Sequence, residues 1–155
     1  MRWILGIALY FIDRGVKYWA QEVLQQIGKI EILPGFLSFQ FVKNHGIAFG
    51  WFSDIGNLQI VFSLIAITVL GWIMKRYQLN KSACWGMVLI IAGAFGNVTD
   101  RLLYGYVIDM IQLDFISFPI FNIADIAVVI GTVVVMVAVL FSKTGFEKKK
   151  DENSG

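Results

Sequence analysis

Long apolar runs alternate with short polar stretches along this chain, and each run is close to membrane length. The runs occupy residues 3–19, 58–74, 83–103 and 125–141. An α-helix needs about 20 predominantly apolar residues to cross roughly 30 Å of hydrocarbon. The first run is the weakest, because Asp13, Arg14 and Lys17 interrupt its second half. The pattern predicts a mainly α membrane protein with a bundle of four transmembrane helices.

The segments between the runs predict a small β-sheet and loops at the outward-facing interface of the membrane. In residues 36–42, the alternation Phe39-Gln40-Phe41 follows Pro34-Gly35, which is typical of a turn that leads into a strand. Residues 106–120 are rich in Ile, Val, Phe and Tyr and are also β-prone. Aromatic residues suit the headgroup region, where one edge of the ring is apolar and the other is wet.

The composition supports a membrane location and excludes several kinds of site. The 155 residues are 57% hydrophobic and 15% charged, with a mean hydropathy of +0.70, whereas a soluble domain carries about 25% charged residues. The single Cys and single His exclude an internal disulfide and any Cys-based or His-rich metal site. A net charge of +2 is too small to indicate nucleic-acid binding. We expect residues 1–142 to form one domain and the polar tail 143–155 to be disordered.

Basic residues near the helix ends indicate the orientation in the membrane. They cluster in three regions on one side of a four-helix topology: Arg2, Lys75, Arg76, Lys81, Lys143 and Lys148-Lys149-Lys150. Because cytoplasmic loops carry an excess of Lys and Arg, this side is expected to be cytoplasmic, and so are both termini. The loops 20–57 and 104–124 then face outward.

Two aspartates are the most informative polar residues, because they lie at the edges of very apolar sequence. Asp109 follows Val107-Ile108, and Asp125 follows Ile123-Ala124. Carboxylates are expensive near hydrocarbon, so an acidic residue there is by default a functional hypothesis. The alternative is that both are simply solvated at the interface. If helix packing brings them together, they can share one proton and activate water, as in a membrane-embedded hydrolase.

The third predicted helix carries further polar residues toward the same membrane face. Asn97, Asp100 and Arg101 are spaced i, i+3 and i+4 and therefore share one helix face. An Asp-Arg pair near an interface can also be a helix-end anchor with a snorkelling Arg. The preceding small residues 93–96 allow close helix approach, which would build a tight pocket beside the polar groups.

Three other features of the sequence have more ordinary explanations. Asp13 and Lys17 have the i, i+4 spacing of a salt bridge, and we expect a structural role for them. Asn44 and the nearby Gly46 are typical of a turn, with contact to a substrate backbone as the functional alternative. Cys84 is expected to be a packed thiol at the cytoplasmic end of the third helix.

Five sequence blocks, taken together, resemble the bacterial lipoprotein signal peptidase family, also called signal peptidase II. In chain order the blocks are Asp13-Arg14-Gly15-Val16-Lys17, Asn44-His45-Gly46-Ile47-Ala48-Phe49, Asn97-Val98-Thr99-Asp100-Arg101, Gly105-Tyr106-Val107-Ile108-Asp109 and Phe121-Asn122-Ile123-Ala124-Asp125. Their order and joint occurrence make the resemblance specific, and it covers nearly the whole chain except the tail.

The resemblance implies an aspartyl endopeptidase with Asp109 and Asp125 as its catalytic dyad. The family's supporting polar and small residues fall on Asp13, Lys17, Asn44, Gly93, Asn97, Asp100, Arg101, Asn122 and Ala124. The family removes the signal peptide of diacylglyceryl-modified prolipoproteins by cutting before the lipid-bearing Cys. It does so at the outer face of the bacterial inner membrane without a metal or other cofactor. The expected partners are prolipoproteins and membrane lipid, with no nucleic acid, and the expected state is a monomer.

The chain also departs from the family pattern, and rival functions remain open. Met110 and Gln112 stand where the family often has Phe and a second Asp, and Ile47 replaces a usually small residue. A small transporter that uses intramembrane carboxylates as a proton relay would need polar residues in both halves of the bilayer. A non-catalytic assembly factor would leave the aspartate pair dispensable.

Overall fold

Four long helices and a three-stranded antiparallel sheet dominate the computed structural model, which describes residues 1–46, 55–141 and 147–148. In chain order the elements are α1 (Arg2–Trp19), α2 (Gln25–Ile27), β1 (Lys29–Leu33), β2 (Leu37–Asn44), α3 (Ile55–Arg76), β3 (Tyr77–Gln78), α4 (Lys81–Tyr104), β4 (Val107–Leu113), α5 (Ile123–Leu140) and β5 (Glu147–Lys148). The mainly helical architecture with a small antiparallel sheet is therefore confirmed. Ile47 lies outside the described residues, as does the tail apart from β5.

Three of the four predicted spans meet the length and apolarity needed to cross a membrane. Among the described residues these are Leu58–Arg76, Lys81–Tyr104 and Ile123–Leu140. Helix α1 forms as predicted, but it is not one of the three. Its charged second half, with Asp13, Arg14 and Lys17, distinguishes it from the others. With these three helices the chain is a multi-pass membrane protein. The count of four spans stays a prediction.

Helix α4 lies at the centre of the bundle and touches α5 so closely that glycine is required. A Cβ on Gly86 would lie 2.7 Å from the carbonyl oxygen of Gly131, and a Cβ on Gly131 would lie 2.5 Å from that of Gly86. Farther along, a Cβ on Gly93 would collide with the Ala124 carbonyl oxygen. Small residues let helix backbones approach when lipid supplies no hydrophobic drive. These contacts fix the start of α5 against α4.

The first helix continues beyond its predicted end and supports the sheet. A π-helical turn at Ala20–Leu24 extends α1 and leads into α2. Ala20 and Leu24 are fully buried against Ile108 and Met110 of β4. Because strand side chains alternate between two faces, Ile108 and Met110 point toward this packed cluster and Asp109 points to the opposite face. The small core thus orients Asp109.

The sheet has the strand order β1-β2-β4, with both neighbours antiparallel. The predicted strand at 36–42 is observed as β2, whereas only the first half of the β-prone segment 106–120 forms a strand. After Leu113 the chain turns, and Phe121 returns to bridge Ile111. This return brings Asn122 beside β4. Strand β1 was not predicted separately.

The disorder expected of the tail 143–155 stays a prediction, because the structure describes only two of its residues. Glu147–Lys148 forms β5 and pairs antiparallel with Tyr77–Gln78 at the far end of the bundle.

Candidate active site

Asp109 reaches the site because the chain reverses tightly between α4 and β4. Gly105 ends α4 in the left-handed conformation, at φ +78°, and its N–H donates to the Arg101 carbonyl oxygen at 3.0 Å. Glycine adopts this conformation without a Cβ penalty. The Ile108 N–H then donates to Oδ2 of Asp100 at 3.1 Å, which ties the strand to the helix that precedes it. Asp109 is 1% exposed.

Asp125 is held by the first turn of α5. Its Oδ2 accepts the Asn122 N–H at 3.2 Å, and its own N–H donates to Oδ1 of Asn122 at 2.9 Å. This reciprocal pair is a capping box, which satisfies two of the free N–H groups at a helix start. Helix α5 therefore begins two residues earlier than predicted, at Ile123. The positive end of the helix dipole also stabilises the Asp125 charge.

Asn122 contacts both aspartates and connects them. Its Nδ2 donates to Oδ1 of Asp109 at 2.6 Å, while its backbone and Oδ1 hold Asp125. The side chain is fully buried. The structure thus places the two predicted dyad members on either side of one asparagine.

Three asparagines present their amide N–H groups to the two carboxylates, and each is fixed by a donor on its oxygen. Oδ1 of Asn44 accepts the Gly46 N–H at 2.8 Å, and its Nδ2 donates to Oδ2 of Asp109 at 2.7 Å. Oδ1 of Asn97 accepts from Lys17 Nζ at 2.9 Å, and its Nδ2 donates to Oδ1 of Asp125 at 2.7 Å.

Because an amide oxygen only accepts and an amide nitrogen only donates, these partners determine which way each amide faces. The carboxylates are therefore oriented by amides that are themselves oriented. The turn predicted at Asn44 is present, since Asn44 receives the Gly46 N–H. The same side chain also reaches Asp109, because it shares a sheet face with that residue on the neighbouring strand.

A buried ion network lies beneath these amides. Lys17 Nζ is 2.8 Å from Oδ2 of Asp13 and 2.9 Å from Oδ2 of Asp100, and none of these three residues is more than 1% exposed. Asp100 also forms an ion pair with Arg14. Oδ1 of Asp13 accepts the Ala124 N–H at 3.0 Å. The network joins α1, α4 and α5, and Asp13 and Lys17 have the structural pairing expected of their spacing.

Arg101 completes the set of predicted residues from α4. Its Nη1 donates to the Asn97 carbonyl oxygen at 3.4 Å, and its positive charge interacts with Asp125 and Asp109. Gly93 and Ala124 contribute no polar side chain but form the close α4–α5 contact that places Asp125.

The environment of Asp109 favours its protonated form. Burial raises the pKa of Asp109 most, and the neighbouring charge of Asp125 raises it further. Hydrogen bonds from Asn44 and Asn122 stabilise the carboxylate and act in the opposite direction. The result is a pKa of about 6, against an ordinary value of 3.8. Asp109 can therefore carry or release a proton within the range where a peptidase works.

Two grooves reach the aspartates, one lined by Asp125 and the other lined by Asp109. The first, here called the helix groove, lies among α3, α4 and α5 and has a volume of about 480 Å³. It is lined mainly by apolar side chains such as Phe62, Ile90 and Val128, and it leads to Asp125. The second, here called the strand groove, has a volume of about 570 Å³ and contains Asp109 with Lys43, His45 and Pro119 among its other lining residues.

One residue of the buried ion network, Arg14, was not predicted from the sequence. Arg14 lies in the first of the five sequence blocks, but no role was predicted for it. Its position next to Asp13 is the sequence feature that could have indicated a role. Its partner, Asp100, lies 86 positions away. Within the described part of the chain, no group of three or more His, Cys, Asp or Glu side chains is arranged to hold a metal ion.

Comparisons with known proteins match this chain to one family over most of its length. The family model for signal peptidase (SPase) II matches residues 5–141. The chain is 39% identical to the lipoprotein signal peptidase of Bartonella henselae over 145 residues, which is 90% of this chain and 88% of that protein. It is 35% identical to the one from Streptococcus thermophilus over 141 residues, 88% of this chain and 90% of that protein.

A solved structure agrees with the fold as well. A bacterial membrane enzyme determined by the in meso method at 1.9 Å resolution superposes with a TM-score of 0.83 at 30% identity, covering 91% of this chain and 92% of that one. The resemblance inferred from the five blocks is confirmed. On these matches, the chain belongs to the signal peptidase II family, the lipoprotein signal peptidases.

Proposed function

We propose that the protein is an intramembrane aspartyl endopeptidase that cuts diacylglyceryl-modified prolipoproteins immediately before the lipidated Cys. Membership of the family already makes it a membrane peptidase that removes signal peptides from prolipoproteins. The aspartyl chemistry is our proposal. The observation that carries it is the contact of one buried residue, Asn122, with both Asp109 and Asp125.

The two carboxylates have different surroundings, which suggests different roles. Asp125 lies at a helix start, where N–H groups and the helix dipole stabilise a negative charge. Asp109 is buried and has a pKa of about 6. Two nearby carboxylates whose environments differ in this way divide the acid and base functions between them. We assign Asp125 as the ionised base and Asp109 as the protonated acid at the start of the cycle.

The chemical steps follow from this assignment. Asp125 takes a proton from a water molecule, and the water oxygen attacks the scissile carbonyl carbon. The Asp109 hydroxyl donates a hydrogen bond to the carbonyl oxygen as negative charge develops there. Collapse of the tetrahedral intermediate breaks the C–N bond, and the leaving amine receives a proton from the pair. The dyad ends the cycle with the single shared proton with which it began.

The two grooves suit the two halves of the substrate. A signal peptide is itself an apolar helix, and the helix groove offers it an apolar wall that ends at Asp125. The strand groove beside Asp109, which also exposes Lys43, Asn44 and His45, is suited to the segment after the cut, which continues into water. The acyl chains on the substrate Cys can remain in the bilayer between helices. The scissile bond is then held beside Asp109 and Asp125, each of which lines one of the two grooves.

The proposed location is the bacterial inner membrane, with both termini in the cytoplasm. The basic residues concentrate at the end of the bundle remote from Asp109 and Asp125, and cytoplasmic loops favour Lys and Arg. The active site then faces outward, where lipid-modified precursors present their signal-peptide ends. We propose that a monomer acts without a metal or other cofactor.

Substrate lipidation provides the first test. A precursor that carries the diacylglyceryl group should be cleaved at least about 100-fold faster than the same sequence with an unmodified Cys, because remote binding energy positions the scissile bond. Mass spectrometry of the products gives both the rate and the bond that is cut. Free diacylglycerol added to the unmodified precursor is the control and should not restore the rate. Equal rates on the two precursors, or cleavage elsewhere, would refute the proposed specificity.

The pH dependence provides a second test. The kcat/KM of the wild type should fall as pH rises through about 6, because Asp109 loses the proton it must donate. Asn44 donates to ionised Asp109, so Asn44→Ala should raise the pKa of Asp109 and move this decline upward by about one pH unit. Initial rates are measured from about pH 4.5 to about pH 8.5, a range that includes the Asp109 pKa of about 6, and they give the pH at which kcat/KM declines.

The matched control for Asn44 is Gln40→Ala. Gln40 is an amide on the same strand, β2, but it donates to Gln112 instead of a carboxylate. Its substitution should leave the pH of the decline unchanged. A downward movement in Asn44→Ala, or the same movement in both variants, would contradict the role given to the Asn44 hydrogen bond.

A further inference from the structure

A basic pocket lies at the end of the bundle opposite Asp109 and Asp125. It has a volume of about 700 Å³ and is lined by Arg2 and Trp3 of α1, Lys75 of α3, and Tyr77 and Cys84 among others. Arg2 and Lys75 are exposed cations. Among the described residues that line this basic pocket, none is acidic, and neither cation is paired there with a described carboxylate.

An apolar groove continues from the basic pocket along α1 and α4. It has a volume of about 230 Å³, and its lining includes Gly6, Tyr10, Val88, Ala92 and Phe95. Gly6 allows the two helices to meet closely, since a Cβ there would lie 2.8 Å from Cγ1 of Val88.

The basic pocket and the apolar groove open along the same side of the bundle. Trp3 lines both of them. On α4, residues 84, 88, 91 and 95 also line one or the other, and they follow the i, i+4, i+7, i+11 spacing of a single helix face. A charged head and an attached apolar chain can therefore occupy the two spaces together.

We propose that these two spaces bind one anionic phospholipid from the surrounding leaflet. Its phosphate lies between Arg2 and Lys75, and one acyl chain lies in the apolar groove. Basic pockets between membrane helices recognise anionic headgroups, and each Lys or Arg near the surface adds to the attraction. Trp3 is positioned at the boundary of head and chain, the level that indole rings prefer. A second copy of the chain would fill the apolar groove but would leave the two cations without a counter-charge.

This lipid site is separate from the peptidase site and does not depend on the proposed aspartyl chemistry. The charged end of this site lies at the starts of α1 and α4 and the end of α3, and its apolar groove reaches the middle of α1 and α4, whereas the aspartates follow the end of α4. The two proposals can therefore fail independently.

Native mass spectrometry of the full chain, released from micelles that contain equal amounts of dioleoyl phosphatidylglycerol and dioleoyl phosphatidylcholine, tests the site. The wild type should retain phosphatidylglycerol selectively, as a single bound molecule. Lys75→Gln and Arg2→Gln should each weaken this retention by about fivefold. Lys29→Gln is the matched control, because it removes the same charge from an exposed lysine on β1. Cleavage of a lipid-modified precursor in detergent checks that Lys75→Gln is folded, and its rate should equal that of the wild type.

Four outcomes would overturn the proposal. Equal retention of the two phospholipids would show that charge plays no part. An equal loss in Lys29→Gln would show a general charge effect. Release of phosphatidylglycerol by soluble glycerol 3-phosphate alone would show that the pocket binds an anion and not a lipid. A dimer free of lipid would place a second chain in the apolar groove.

Discussion

Asp125→Asn and Asp109→Asn should each reduce cleavage of a lipid-modified precursor by about 10²–10⁴-fold, the contribution of a positioned acid or base. Asn at 125 keeps an oxygen to accept the Asn122 N–H, so the start of α5 should still be capped. It has no group that can take a proton from water. Asn at 109 fills the same volume but cannot act as the acid. The rates are measured by single-turnover cleavage in detergent or nanodiscs.

A matched carboxylate and a folding check make this experiment decisive. Asp114→Asn removes a carboxylate that follows β4 and pairs with Lys29 of β1, and it should leave cleavage near the wild-type rate. Circular dichroism and the thermal unfolding midpoint show whether each variant inserts and folds. Near-normal cleavage by a folded Asp125→Asn protein would exclude the dyad. It would also be the outcome expected of a non-catalytic assembly factor, whereas a transporter would show no cleavage in the wild type.

Lys17→Met should strongly destabilise the folded protein. The side chain is fully buried between Asp13 and Asp100. Its removal leaves buried negative charge uncompensated, which costs about 3–5 kcal/mol of folding free energy in typical buried pairs. The free energy of unfolding in mixed micelles measures this loss. The cleavage rate should fall as well, because Lys17 Nζ holds the Asn97 oxygen that orients the Asn97 amide toward Asp125.

Two further variants separate charge balance from orientation. Asp13→Asn in the Lys17→Met background removes the excess charge and keeps an oxygen for the Ala124 N–H, so part of the stability should return. The cleavage rate should return less, since Asn97 still lacks its lysine donor. Lys29→Met, at an exposed pair with Asp114, should change stability little because water screens that pair. A Lys17→Met protein as stable as Lys29→Met would contradict the account of the network.

The apolar runs predicted the long helices well, and local caps explain the differences at their ends. The predicted range 58–74 is observed as Ile55–Arg76, and 83–103 is observed as Lys81–Tyr104. Hydropathy marks where a span can lie, but Asn80 and Asn122 decide where α4 and α5 begin, because their side chains cap the first N–H groups.

The sequence could not show how the polar residues pair. Asp13 and Lys17 were recognisable as neighbours on one helix, yet the bond from Asp13 to the Ala124 N–H joins positions 111 apart. The extension of α1 through Ala20–Leu24 escaped prediction for a related reason. Its burial depends on contact with β4, and that contact exists only after the chain has folded.

The burial that prepares Asp109 for chemistry also links the stability of the fold to protons. The folded protein holds the Asp109 proton with a pKa of about 6, whereas the ordinary value is 3.8. Stability from this group is fully present below about pH 3.8, declines as pH rises toward 6, and is absent above it. The difference corresponds to about 3 kcal/mol. At neutral pH the protein therefore retains a destabilised carboxylate in its interior, and the hydrogen bonds of Asn44 and Asn122 limit how large that penalty becomes.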